Sequence, residues 1–190
     1  MKRAVFMDRD GTISEEVGFM REPDQFQLIP QSAEAIKLIN ENSLKAIVVT
    51  NQAGVARGYF PEEMIGKIHH TMEKLLSEQG AHLDGIYYCP HHPEGTVEPY
   101  RRMCNCRKPA SGMLTQASQE HDIDVSSSYV VGDKVIDIEL AHGVGAKGIL
   151  VLTGYGKDEL TRINHLSLKD PAYVARNLFD AVRWIIEDLG

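Results

Sequence analysis

Apolar residues in this chain fall into two patterns. Short unbroken runs, such as Ala4-Val5-Phe6-Met7, Ala46-Ile47-Val48-Val49 and Tyr129-Val130-Val131, alternate with longer stretches whose apolar positions recur at helical spacing. Continuous runs of this length are expected of strands buried on both faces of a parallel sheet. They predict strands at about 3–7, 46–49, 85–88, 129–131 and 147–152, with a weaker one at 173–175. Helical spacing places Ala35, Ile36 and Ile39 behind a Ser32 cap. It also places Met64, Ile65, Ile68, Met72, Leu75 and Leu76 on one face of a helix running from Pro61 towards Gln79. Shorter helices are expected around 113–121 and 137–141, and a last one after an Asn177 cap, with Ala181, Trp184, Ile185 and Leu189 inward. The stretches 15–30 and 90–109 are irregular and carry two and four prolines. Strands alternating with helices predict an α/β fold with a doubly wound, mainly parallel sheet of Rossmann type. With no internal repeat or linker, one domain over residues 1–190 is expected.

In such sheets ligands bind beyond the carboxyl ends of the strands. Asp8, Thr50, Cys89 and Asp133 each stand at the end of a predicted strand. Asp8 and Asp10 are two residues apart, so in an extended backbone they face the same side while Arg9 points away. Two carboxylates this close repel unless a cation lies between them or one keeps a proton. Gly11 permits a tight turn beside them.

Charge and cysteine usage narrow the possibilities. A net charge of −7 argues against a general nucleic-acid binder, although Arg101-Arg102 and Arg107-Lys108 form a local basic cluster suited to a compact anion. No apolar run reaches the ~20 residues of a membrane span, and the amino terminus has no secretory pattern, so a cytoplasmic location is expected. The three cysteines crowd into one segment. Cys89 and His91, with Cys104 and Cys106, form the Cys₃His set of a closed structural zinc site, with His92 as a rival ligand. Free buried thiols are the bland alternative.

The string Val5-Phe6-Met7-Asp8-Arg9-Asp10-Gly11-Thr12 resembles the first motif of the haloacid dehalogenase (HAD) superfamily of aspartate-nucleophile phosphatases. Thr50-Asn51, Arg107-Lys108-Pro109 and Gly132-Asp133-Lys134-Val135-Ile136-Asp137 resemble its second, third and fourth motifs, in the family's order. The resemblance implies a HAD fold with Asp8 as nucleophile and Asp10 as general acid/base. Thr50 and Lys108 would hold the transferring phosphoryl group. Magnesium would be held by Asp8, Asp133 and the Asp10 backbone carbonyl, with Asp137 behind them. Only 39 residues separate Asp10 from Thr50, too few to add a cap domain to the predicted helix, so the site is expected to be open.

A C-x-H…C-x-C zinc loop ahead of R-K-P is shared by histidinol-phosphate phosphatases and D-glycero-D-manno-heptose 1,7-bisphosphate 7-phosphatases. The 12 residues between His91 and Cys104, with the segments 50–58, 87–93 and 104–109, resemble the heptose family more closely. That resemblance implies Mg²⁺-dependent removal of the 7-phosphate of a heptose bisphosphate, in the synthesis of nucleotide-activated heptose for lipopolysaccharide. It implies substrate contacts from Glu16, Val17, Gly18, Phe19, Asn51, Gln52, Ala53, Arg107 and Lys134, with Arg107 on the distal phosphate. The chain has Glu16-Val17-Gly18-Phe19 where the family pattern has Asp-x-Gly-Tyr. A histidinol-phosphate phosphatase is the alternative enzyme, and a non-catalytic zinc-stapled binding module the alternative of another class. The expected partner is a small sugar bisphosphate, with neither nucleic acid nor membrane, and a monomer is expected.

Overall fold

The strand β1 (Ala4–Met7) is buried along its whole length because its alternate side chains feed two separate cores. Val5 and Met7 join one cluster with Ala46 and Val48, while Ala4 and Phe6 join another with Ile47 and Val49. The computed structural model describes residues 1–166 and 170–190. Around β1 are β2 (Lys45–Asn51), β3 (Gly85–Cys89), β4 (Tyr129–Gly132), β5 (Lys147–Val151) and β6 (Tyr173–Ala175). They form one sheet in the order β3-β2-β1-β4-β5-β6, and every pairing is parallel. The expected mainly parallel sheet is thus wholly parallel among the described residues.

The helices α1 (Ser32–Glu41), α2 (Glu63–Glu78) and α6 (Leu178–Leu189) bury Ile36, Met72 and Ile185 against one face of the sheet. Helices α3 (Gly112–His121) and α4 (Val135–Val144) bury Leu114 and Leu140 against the other. Filling both faces is why the central strands read as unbroken apolar runs. Truncating a fully buried residue such as Phe6 is expected to cost about 3–5 kcal/mol.

Strand order reverses at β1. From there the chain winds outward through β2 and β3, then returns to β4 on the other side of β1. The carboxyl ends of β1 and β4 flank this switch point, where doubly wound sheets open a crevice. Asp8 and Asp133 follow those two strands directly.

Two local expectations are corrected. Ser32 does not cap α1: it is the first helical residue, its hydroxyl is buried without a hydrogen-bond partner, and Gln31 before it has φ 69°. The chain instead enters α1 through a tight turn in which Ser32 N–H donates to the Ile29 carbonyl. Asn177 does cap α6, accepting the Asp180 N–H at 2.9 Å. Helix α5 (Gly156–Leu166) was not expected at all. Its sequence is mostly polar, and its packing rests on Ile163 with partly buried Leu160, too few apolar positions to reveal a period. The remaining strands and helices match their expected positions to within a few residues.

The irregular stretches are the two long connections that flank the crevice. One runs from β1 to α1 and the other from β3 to α3; neither contains an inserted domain among the described residues. No described helix is long and apolar enough to cross a membrane.

Candidate active site

Asp8 sits at the floor of a cavity of about 280 Å³ at the switch point. Its Oδ1 accepts the Arg9 N–H at 2.8 Å and lies 3.0 Å from Lys108 Nζ. Burial opposes its ionisation, but the Lys108 and Lys134 ammonium groups outweigh that and hold the carboxyl below the usual carboxylate range. Lys108 is itself buried, 2.6 Å from Asp137 Oδ1. Burial works against its charge, and the Asp137 and Asp8 carboxylates keep it protonated. Asp137 is therefore the counter-charge that fixes the lysine.

Asp133 is fully buried beside Asp8, and a carboxylate oxygen from each of Asp8, Asp133 and Asp137 lies within 4.8 Å of the others. One Asp133 oxygen accepts the Tyr155 N–H at 2.9 Å, while Oδ1 has no hydrogen-bond partner. Burial, with the Asp8 and Asp137 carboxylates, pushes Asp133 up to about 7. Space for this carboxylate comes from glycines: a Cβ on Gly11 (φ +82°) would lie 2.2 Å from Asp133 Oδ2, and one on Gly154 would lie 2.3 Å from it. An unpartnered buried carboxylate oxygen beside a second carboxylate matches the oxygen ligands that magnesium takes. The donor set fits that ion.

Arg9 does not point away. It is fully buried and turns its fork back onto Asp10, with Nε 3.0 Å from Oδ1 and NH2 2.8 Å from Oδ2. Gln52 links this pair to Thr50: its amide donates to Asp10 Oδ2 and to Thr50 Oγ1, each at 2.9 Å, and its Oε1 accepts from Arg9 at 3.1 Å. The i, i+2 rule brought Asp10 to the site but gave no sign that the intervening side chain would orient it.

Of the expected substrate contacts, Glu16, Gly18, Phe19, Asn51, Gln52, Ala53, Arg107 and Lys134 line the cavity, and Val17 does not. Val17 is exposed. Asn51 lines the wall, but its amide is committed: it accepts the Lys108 N–H at 3.0 Å and donates to the Lys108 carbonyl at 3.2 Å, which clamps the backbone of that lysine. Lys134 Nζ reaches Glu16 at 3.1 Å and Asp133 at 3.7 Å. Asp8, Asp133 and Glu16 raise its pKa against the opposing effect of burial.

The four zinc candidates also converge. Sulfur–sulfur distances among Cys89, Cys104 and Cys106 are 3.1–3.5 Å, and His91 Nδ1 lies 3.3 Å from Cys106 Sγ and 3.7 Å from Cys89 Sγ. A tetrahedral zinc with bonds of about 2.3 Å needs edges only slightly longer than these. Burial and the Cys106 hydrogen bond push the Cys89 thiol up, a cost that a bound cation removes. His92 is outside the cluster; its Nε2 lies 3.3 Å from Arg57 in the cavity wall.

A protein of Thermosynechococcus vestitus named D-glycero-D-manno-heptose-1,7-bisphosphate 7-phosphatase is 40% identical over 191 residues, spanning 98% of this chain and 97% of the relative. The chain belongs to the heptose-bisphosphate phosphatase family. Another member, from Pasteurella multocida, is 47% identical over 81% of this chain and 84% of its own. The crystal structure of D,D-heptose 1,7-bisphosphate phosphatase from B. bronchiseptica, complexed with magnesium and phosphate, superposes with a TM-score of 0.86 at 30% identity. That match covers 99% of both chains. The Hydrolase_like family model, described as HAD-hydrolase-like, matches residues 105–181. Within this family member, sequence reasoning missed Arg57, His92, Ile136 and Tyr155 as cavity residues. Arg57 lies within a segment quoted for its family resemblance, but only the fold turns its side chain to the cavity.

Proposed function

We propose that this chain is a Mg²⁺-dependent phosphatase that removes the 7-phosphate of D-glycero-D-manno-heptose 1,7-bisphosphate, supplying the 1-phosphate for nucleotide activation. The reading is carried by one arrangement: an ionised, buried Asp8 against Lys108, at the floor of an open cavity whose wall bears Arg107. Asp8 attacks the phosphorus of the 7-phosphate and becomes an aspartyl phosphate, which water then hydrolyses. As a carboxylate it needs no base, and the obstacle is the repulsion between two anions. Like charges 4 Å apart cost about 4 kcal/mol at an effective dielectric of 20. Lys108 offsets part of this, with the Thr50 hydroxyl on a phosphate oxygen.

Asp8, Asp133 and the Asp10 carbonyl hold the magnesium, which when bound neutralises phosphate charge and Asp133's own. Asp10, held by Arg9 and Gln52, protonates the leaving sugar oxygen and then takes a proton from the attacking water. Arg107 grips the distal phosphate, and Glu16, Gly18, Phe19, Ala53 and Lys134 bound the sugar's path. Zinc on Cys89, His91, Cys104 and Cys106 staples the loop carrying Arg107, whose NH1 donates to the His91 carbonyl at 3.3 Å. With four protein ligands that zinc is structural.

The test is phosphate release from the heptose bisphosphate and from histidinol phosphate in parallel. A higher kcat/KM on histidinol phosphate overturns the substrate. Asp8→Asn is expected to abolish turnover while the fold is kept; surviving turnover removes the nucleophile.

A further inference from the structure

Arg57 and His92 face the cavity but have no part in holding the reacting phosphate. Arg57 lies on the turn after β2, where its N–H donates to the Ala53 carbonyl at 3.0 Å. The zinc loop docks onto that turn: the Thr96 and Val97 N–H groups both donate to the Ala56 carbonyl, at 2.7 and 3.0 Å. The approach is close enough that a Cβ on Gly95 would come within 2.7 Å of the same oxygen. Two segments far apart in sequence are thereby locked together, and their side chains are fixed relative to one another.

The docking sets an Arg57 nitrogen 3.3 Å from His92 Nε2, in the wall that also carries Arg107. His92 Nδ1 accepts the Glu94 N–H at 3.1 Å, so in the neutral ring the proton sits on Nε2. A guanidinium can only donate. Two donors therefore face each other with no protein acceptor between them. Among the described residues neither Arg57 nor Arg107 is paired with a carboxylate, whereas Lys108 and Lys134 both are. Two half-buried guanidinium groups, neither in an ion pair with a carboxylate among the described residues, and an imidazole N–H are arranged for an anion with several acceptor oxygens.

We infer that Arg57, with the Nε2–H of His92, completes with Arg107 a second phosphate seat, and that Arg57 sets the preference for bisphosphates over monophosphate esters. The inference rests on the bisphosphate reading above and adds to it residues outside the four motifs. The seat is distinct from the reaction centre, where Asp8, Lys108 and Thr50 already surround the 7-phosphate. A guanidinium suits this role because its fork engages two phosphate oxygens at once, which lysine cannot do.

The test compares kcat/KM of the magnesium- and zinc-loaded protein and its Arg57→Met, Arg57→Lys and His92→Phe variants on the heptose bisphosphate and on p-nitrophenyl phosphate. Arg57→Met is expected to lose about ten- to hundred-fold more on the bisphosphate than on the monoester, mostly through KM, as for loss of charge-assisted hydrogen bonds to one group. Arg57→Lys should recover part of the difference, and His92→Phe should lose less in the same direction. Should Arg57→Met fail to fold, the lysine and phenylalanine variants carry the same comparison. Equal losses on both substrates overturn the seat. Wild-type protein with no preference for the bisphosphate removes the functional reading and the seat together; a wild-type preference that survives in all three variants removes only the seat.

Discussion

Replacing Asp133 by asparagine is expected to stabilise the metal-free protein while destroying its function. The folded protein holds this carboxyl's titration at about 7, against 3.8 for the free group, chiefly because it is buried. Above pH 3.8 the unfolded chain gives up the proton, while the folded chain keeps it until about pH 7. Over that window the folded state binds more protons, so stability falls as pH rises through it and the loss is complete above pH 7. At ~1.36 kcal/mol per pH unit the loss is about 4 kcal/mol. Lys134, 3.7 Å from Asp133 Oδ1, loses a partner in the variant, which reduces the expected gain to about 2–4 kcal/mol.

The assay is urea unfolding of the zinc-loaded wild type and Asp133→Asn in Mg²⁺-free buffer without chelator, at pH values from 4.5 to 8. Near pH 4.5 the two should be close; at pH 8 the variant should be the more stable. Adding Mg²⁺ at pH 8 should stabilise the wild type and leave the variant unmoved. A variant less stable than wild type at pH 8, or a difference that does not change with pH, would refute the reasoning. Either result would mean that the Asp133 carboxylate is already satisfied by protein groups and is not held ready for a cation.

Arg9→Leu should lower kcat on the bisphosphate at least ten-fold with KM little changed, because the fork that orients Asp10 is lost while the substrate contacts remain; steady-state kinetics at saturating Mg²⁺ would read this, and an unchanged kcat counts against the positioning role. Cys106→Ser should remove zinc by elemental analysis, lower the melting temperature and raise KM for the bisphosphate, since Arg107 follows Cys106 directly and is anchored on the His91 carbonyl. A zinc-free variant with wild-type KM would separate the staple from the substrate site.

Much of this site could be read along the chain. The apolar runs located the strands, so the residues at their ends were known to share one rim of the sheet. The close pairing of Cys89 with His91, and of Cys104 with Cys106, pointed to one metal, because two short-range pairs need only a single long-range closure. The i, i+2 spacing of Asp8 and Asp10 worked for the same reason, since local geometry fixes it. Helix α5 was invisible because two apolar contacts suffice when a neighbouring helix supplies the rest of the surface.

The sequence by itself determined which residues carry charge, which strands are buried on both sides, and where along the chain the paired carboxylates stand. Only the tertiary structure decided their partners. It chose His91 over His92 for the thiol cluster, turned Arg9 onto Asp10, set Asp137 against Lys108 and aimed Arg57 at His92. Those choices depend on which segments dock at a separation of tens of residues, and a periodicity that spans only a turn or a strand carries no record of them.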